Sequence, residues 1–184
     1  MRTTLDRVLV IDVESTCWEG NPPDGEESEI IEIGWCILDA RSRQRGESGS
    51  ILVRPARSRI SEFCTGLTTL NQEQVDTGIS FEEACRMLRQ EKDSRSVAWA
   101  SFGNYDRKMF QRQCQSTAAP YPFGDTHINV KNLFALMHGL PKEIGMDGAM
   151  EMIGIPLEGT HHRGGDDAKN IAAILAMLLW KATV

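Results

Sequence analysis

Residues 7–14 read RVLVIDVE, a short run rich in β-branched residues in which apolar side chains follow one another without alternation. That pattern marks a strand covered on both faces. It restricts the chain to architectures that bury a sheet from two sides. Two similar runs follow, EIIEIGWCIL at 29–38 and SGSILVR at 48–54, with the polar turn RSRQRG between them. Together the three predict an antiparallel three-stranded start, with Pro55 ending the third strand.

Helical signals take over after residue 79. Ser80-Phe81-Glu82-Glu83 has the form of a capping box, and Phe81, Ala84, Cys85 and Leu88 recur at helical spacing behind it. SVAWASF (96–102) predicts another strand, followed by a helix carrying Asp106, Met109 and Phe110. DTHINV is a weaker strand candidate, and VKNLFALM and GMDGAMEMIG read as short helices. The last helix starts at Asp166 or Asp167 and shows Ala168, Ile171, Ala172, Leu175, Leu178 and Leu179 along one face. Early strands followed by alternating strands and helices predict one α/β domain over 1–184, with its core at about 7–180 and a mixed sheet.

A chain of 184 residues is long enough to bury a substantial core, and no apolar stretch is long enough to span a bilayer. The N-terminus MRTTLDR has no signal-peptide anatomy, so cytoplasmic residence is the expectation. Five widely spaced cysteines without a C-x-x-C pair read as reduced thiols rather than a disulfide frame or zinc site. The formal charge of −6 argues against a general basic nucleic-acid binder. It does not argue against a nuclease, because bound cations would offset acidic site residues. No protein partner is inferable.

Those acids are the chemistry-bearing part of the chain. Asp12 and Glu14 stand at i and i+2 on the first strand, so both project to one face at its carboxyl end. Asp106 begins a helix, where an isolated carboxylate is more often a cap than a ligand. The tract before it, Trp99 to Tyr105, is an aromatic strand end passing through Gly103, which suits a turn lined with substrate. His161, His162, Asp166 and Asp167 surround Gly164-Gly165, which would let a loop bend tightly into the last helix. Residue chemistry does not separate His161 from His162, or Asp166 from Asp167. Four carboxylates converging on one cleft call for cations, and two Mg²⁺ ions can stabilise both the attacking and the leaving oxygen of a phosphodiester. An imidazole titrating near neutrality is a natural base for the attacking water.

DVEST, the Asp106 helix and the H-x-x-x-x-D ending resemble the DEDDh exonucleases of the RNase H-like superfamily. The branch most similar is that of the eukaryotic histone-mRNA 3′-exonuclease, also called the enhanced-RNAi exonuclease. VIDVESTCWEGNPP, SEIIEIGWCILD, ISEFCTGLTTLNQEQVD and GGDDAKNIA all carry this likeness. It implies an RNase H-like α/β fold, a mixed five-stranded sheet with helices on both faces. It also implies a 3′→5′ exonuclease that hydrolyses single-stranded RNA or short oligonucleotides to nucleoside 5′-monophosphates, with two Mg²⁺ or Mn²⁺ ions. Under the resemblance Asp12, Glu14, Asp106 and Asp167 are the metal-binding acids. His162, five before Asp167, is the general base. Thr16, Cys17 and Trp18 match the segment that holds the terminal nucleotide, and Phe63, Leu67 and Tyr105 match the base pocket. The partners implied are RNA or DNA 3′ ends. The alternatives are a DNA-directed exonuclease and a catalytically silent nucleic-acid-binding module. Two arginine groups, at 41, 43 and 45 and at 54, 57 and 59, are candidates for tracking phosphates or for an ordinary solvated surface.

Overall fold

The structure is a computed structural model and describes residues 4–181. Among the described residues five strands and seven helices follow one another as β1 (Thr4–Ser15), β2 (Ile30–Asp39), β3 (Arg45–Leu52), α1 (Glu62–Thr68), α2 (Gln72–Asp76), α3 (Phe81–Glu91), β4 (Val97–Ser101), α4 (Tyr105–Thr117), β5 (His127–Asn129), α5 (Val130–Met137), α6 (Met146–Ile153) and α7 (Gly164–Lys181). The strands form one sheet in the order β3-β2-β1-β4-β5. β1 pairs antiparallel with β2, and β2 with β3, whereas β1–β4 and β4–β5 are parallel. The sheet is therefore mixed, as expected, and β1 lies at its centre.

Alternate residues of β1 feed two separate cores, as a strand buried on both faces requires. Leu9, Ile11 and Val13 join Phe81, Ala84 and Leu88 of α3 and Met109 and Phe110 of α4 on one face. Val8 and Val10 join α5, α6 and the apolar face of α7 on the other. A third, smaller cluster forms around Ile31, Cys64, Leu70 and Val75, where α1 and α2 pack beside the strand ends. Among the described residues no helix is long and apolar enough to cross a membrane.

Several local expectations are corrected. α1 and α2 fill a stretch in which the hydrophobic periodicity showed no helix, because each is too short to display one. Their signals are caps: Ser61 accepts from the Cys64 amide, and Asn71 with Gln74 forms a full capping box. At Ser80 half of the expected box forms. Its hydroxyl accepts the Glu83 amide, while the Glu83 carboxylate pairs with Arg86. β3 starts at Arg45, inside the expected turn, because Asp39 folds the turn earlier by accepting the Arg41 and Ser42 amides. β3 also ends at Leu52, three residues before Pro55, after which Val53 makes an isolated bridge to Ile79.

α7 begins at Gly164 rather than at either aspartate. The Arg163 carbonyl accepts the first helical bonds, from the Asp166 and Asp167 amides. The glycines do not bend the loop either. The left-handed residues are Gly159 (φ 74°) and His162 (φ 63°). Gly164 instead permits close approach. A Cβ on Gly34 of β2 would lie 1.8 Å from the Gly164 carbonyl carbon. The start of α7 thus lies directly on the sheet, one strand away from Asp12, whose register partner is Gly34.

Candidate active site

β1 and β4 are parallel neighbours, so their carboxyl ends open at the same edge of the sheet. Ligands bind at such edges in open α/β sheets because the loops diverge there. Here a cavity of about 310 Å³ is lined by Asp12, Glu14, Ser15, Cys17, Leu67, Phe102, Tyr105, Asp106, Met146, His161, His162 and Asp167, among others. All four predicted metal-binding acids and both histidines therefore meet in one place.

Each acid arrives by a different route. Asp12 and Glu14 share the face of β1 that looks towards α7. Asp167 sits one turn into α7, 3 % exposed. Donor atoms of Asp12, Glu14 and Asp167 lie within 4.8 Å of one another, close enough to hold one ion. Asp106 comes from the opposite side, in the first turn of α4. Its carboxylate accepts the Val13 amide at 3.0 Å, so it is tied to the end of β1. Asn104 precedes the helix without a side-chain cap. Asp106 thus satisfies local donors and faces the cavity at once.

Crowding of like charge shows in the acid strengths. Burial, followed by repulsion from Asp167 and Glu32, raises Glu14 to about 8. Burial raises Asp106 to about 6. Asp12 is pushed well above the ordinary carboxylate range by burial and then by Asp106 and Glu14, and burial also raises Asp167. An all-oxygen donor set that resists its own ionisation fits hard divalent cations, whose charge would remove the repulsion.

The two histidines differ in how they are held. The His161 ring bonds Asp167 through Nδ1 at 3.0 Å, and the His162 ring stacks on it with centroids 4.0 Å apart. His162 gives Asp167 its backbone amide, at 2.9 Å, rather than its ring. Burial and then the neighbouring His161 lower the His162 pKa, which favours the neutral imidazole that a base requires.

The predicted substrate residues divide. Cys17, Leu67 and Tyr105 line the cavity. Phe63, one turn before Leu67 on α1, is 45 % exposed, and Tyr105 is 54 % exposed. These are large apolar groups left open beside a polar site. The Tyr105 hydroxyl is fixed by the Ser15 hydroxyl at 2.6 Å. Thr16 is engaged elsewhere. It is fully buried, its amide donates to the Glu29 carbonyl, and its hydroxyl bonds the Glu27 carbonyl and the Glu29 amide. Thr16 positions its neighbours Cys17 and half-buried Trp18 rather than offering a free group. Trp99 of the aromatic tract is core, stacked on Phe123, while Phe102 reaches the cavity.

Sequence reasoning passed over Glu32 and Arg163. Glu32 is 1 % exposed and pairs with both ends of the Arg163 guanidinium at 3.1 and 3.0 Å. The available signal was an acid flanked by apolar residues in the run EIIEIGWCIL. Of the arginine candidates, Arg45 pairs with Glu158, Arg57 with Glu27, Arg54 reaches the Asp76 carbonyl, and Arg43 covers the Trp180 ring.

Comparison with known proteins places this geometry in context. The profile of the family described as Exonuclease, RNase_T, matches residues 9–175. The "3'-5' exoribonuclease 1" of Rattus norvegicus is 32 % identical over 184 residues, covering 95 % of this chain and 53 % of the relative. The "Probable 3'-5' exonuclease KapD" of Bacillus subtilis (strain 168) is 33 % identical over 174 residues, covering 90 % of this chain and 80 % of the relative. The chain spans about half the length of the mammalian relatives it matches. Among solved structures, the nuclease domain of 3'hExo, a DEDDh family member bound to rAMP, superposes with a TM-score of 0.87. It is 29 % identical, covering 98 % of this chain and 95 % of that one.

Proposed function

The chain belongs to the RNase_T exonuclease family, and from that premise we propose that it is a metal-dependent 3′→5′ exonuclease. Its proposed substrates are single-stranded RNA or short oligonucleotides, and its products nucleoside 5′-monophosphates. The observation that carries this reading is the meeting of Asp12, Glu14, Asp106 and Asp167 with His162 in one cavity. Domain-length similarity to proteins named as exoribonucleases, and rAMP bound to a DEDDh neighbour, favour a ribonucleotide over a deoxyribonucleotide substrate.

In this reading Asp12, Glu14 and Asp167 hold divalent cations, Mg²⁺ or Mn²⁺, with Asp106 completing the set. When bound, two such cations stabilise negative charge on the attacking and leaving oxygens of the phosphodiester. The protein's own groups do the rest. His162, neutral at working pH, takes the proton of the attacking water. Leu67, Phe63 and Tyr105 grip the terminal base, which holds the scissile phosphate over the acids with little base preference. The Ser15 hydroxyl keeps Tyr105 in place. As the water oxygen bonds phosphorus, the bond to the preceding nucleotide's 3′-oxygen breaks and that oxygen takes up a proton. The product leaves with the 5′-phosphate, and the new 3′-hydroxyl is the next end to enter.

A labelled oligoribonucleotide and its DNA counterpart, each with free or blocked 3′ ends, test the reading. Metal-dependent release of 5′-mononucleotides from the free RNA end supports it. Release from the blocked end, or no dependence on Asp12, overturns it. Faster DNA cleavage would shift the substrate to the DNA-directed alternative.

A further inference from the structure

Glu32 is a fully buried carboxylate that the hydrolysis outlined above leaves unused. Its register partner across the β1–β2 ladder is Glu14, so it stands beside a site acid on the adjacent strand. It accepts three bonds: two from the Arg163 guanidinium, at 3.1 and 3.0 Å, and one from the Gly164 amide at 2.9 Å. Arg163 is the last residue of the loop that carries His161 and His162. Gly164 is the first residue of the helix that carries Asp167. One side chain on the sheet therefore clamps the joint between the histidine loop and the acid-bearing helix.

Next to the histidines the other bonds that shape this loop come from α7 itself; further back, Arg45 of β3 pairs with Glu158. Asp167 accepts the His162 amide at 2.9 Å, and Asp166 accepts the Thr160 amide at 3.0 Å. Such bonds fix the loop relative to the helix and would travel with it. The Glu32 clamp fixes both relative to the strand that bears Asp12 and Glu14. It also acts next to His162, whose left-handed backbone (φ 63°) is a conformation that a non-glycine residue keeps only when its surroundings impose it.

We propose that Glu32 is a positioning residue for hydrolysis: through Arg163 and the Gly164 amide it sets the angle at which His162 and Asp167 face Asp12 and Glu14. The inference rests on the exonuclease reading. A merely structural ion pair would lower stability when broken but would leave turnover of the folded fraction unchanged. A clamp would lower turnover in protein that remains folded, and restoring a guanidinium would restore it.

The test compares wild type with Glu32→Gln, Arg163→Lys and Arg163→Ala. Each is assayed on an oligoribonucleotide with Mn²⁺, with thermal melting and a Mn²⁺ titration followed by electron paramagnetic resonance. Groups that orient the residues of a metal site typically contribute about 10–100-fold in activity or metal affinity. A loss of that order in kcat is expected for Glu32→Gln and Arg163→Lys, with KM little changed. Added ethylguanidinium is expected to recover part of the Arg163→Ala loss. Turnover equal to wild type in folded Glu32→Gln overturns the proposal, as does an Arg163→Ala loss that guanidinium leaves untouched. If Glu32→Gln does not fold, Arg163→Lys carries the test, because it keeps the charge on a partly exposed side chain and removes only the fork. Wild type inactive on every oligonucleotide would count against the exonuclease reading. The clamp is then judged by Mn²⁺ affinity, where weaker binding in both variants supports it and unchanged binding overturns it.

Discussion

The Glu32 carboxylate accepts the Gly164 amide at 2.9 Å across 132 positions of sequence. A helix N-terminus leaves amides without intrahelical partners, and a local Ser, Thr, Asp or Asn usually supplies the acceptor. In α7 the acceptor comes from β2, a strand beside the centre of the sheet. The helix therefore starts at a point fixed by β2, and Asp167 falls one turn inside it rather than at its cap.

Divalent cations will stabilise the protein more near pH 8 than near pH 5.5. Glu14 sits at about 8 instead of its usual 4.5, and Asp12, Asp106 and Asp167 are shifted in the same direction. The folded state therefore binds these protons more tightly than the unfolded chain. In metal-free protein their contribution to stability is fully present below the unfolded values and is lost as pH rises towards the folded ones. Cations need the deprotonated acids and compete with those protons, so their stabilising effect grows through the same window. Melting curves with and without Mn²⁺ at the two pH values check this. Equal shifts would contradict it.

His162→Ala should lower kcat by about 10²–10⁴-fold, the usual contribution of a general base. His161→Ala should cost less, since that ring orients Asp167 and supports the stacked His162. Steady-state kinetics of both variants on one substrate decide the order, and a reversed order would move the base to His161.

Leu67→Ala should raise KM with little change in kcat, since it removes apolar contact with the base and leaves the acids alone. Fully burying a leucine side chain is worth about 1.5–3 kcal/mol, which bounds the expected effect. Tyr105→Phe keeps the ring and loses the bond to Ser15, a net contribution of about 0.5–1.5 kcal/mol. The smaller KM change is therefore expected for Tyr105→Phe.

Gly34→Ala should destabilise the fold by about 1–3 kcal/mol or more, in the range of overpacking a close contact. The added methyl would collide with Gly164 backbone rather than with a movable side chain. Ala at Gly66, with open space around it, is the control. A denaturant midpoint equal to wild type for Gly34→Ala would show that α7 can shift without cost.

How much was legible in the sequence follows from how local each signal is. The α3 and α4 apolar faces and α5 at residues 130–137 could be read because each repeats a helical period, and the three early strands because each is a continuous β-rich apolar run. α1 and α2 could not, because at seven and five residues they are too short for a period. The D-x-E pair projects to one face by strand geometry alone, so Asp12 and Glu14 were readable as a pair. Chemistry could not rank Asp166 against Asp167. In the structure the first turns out to the Thr160 amide and the second into the cavity.

The sequence by itself determined a sheet buried on both sides, the carboxylates and histidines available to it, and through likeness the family. Composition and short-range periodicity carry that information without contact between distant segments. The tertiary structure alone decided that Asp106 bonds the Val13 amide, that glycines at 34 and 164 let α7 lie against β2, and that Glu32 caps that helix. Those relationships depend on the order and register of strands far apart in the chain. No local pattern encodes which buried carboxylate will meet which unpaired amide.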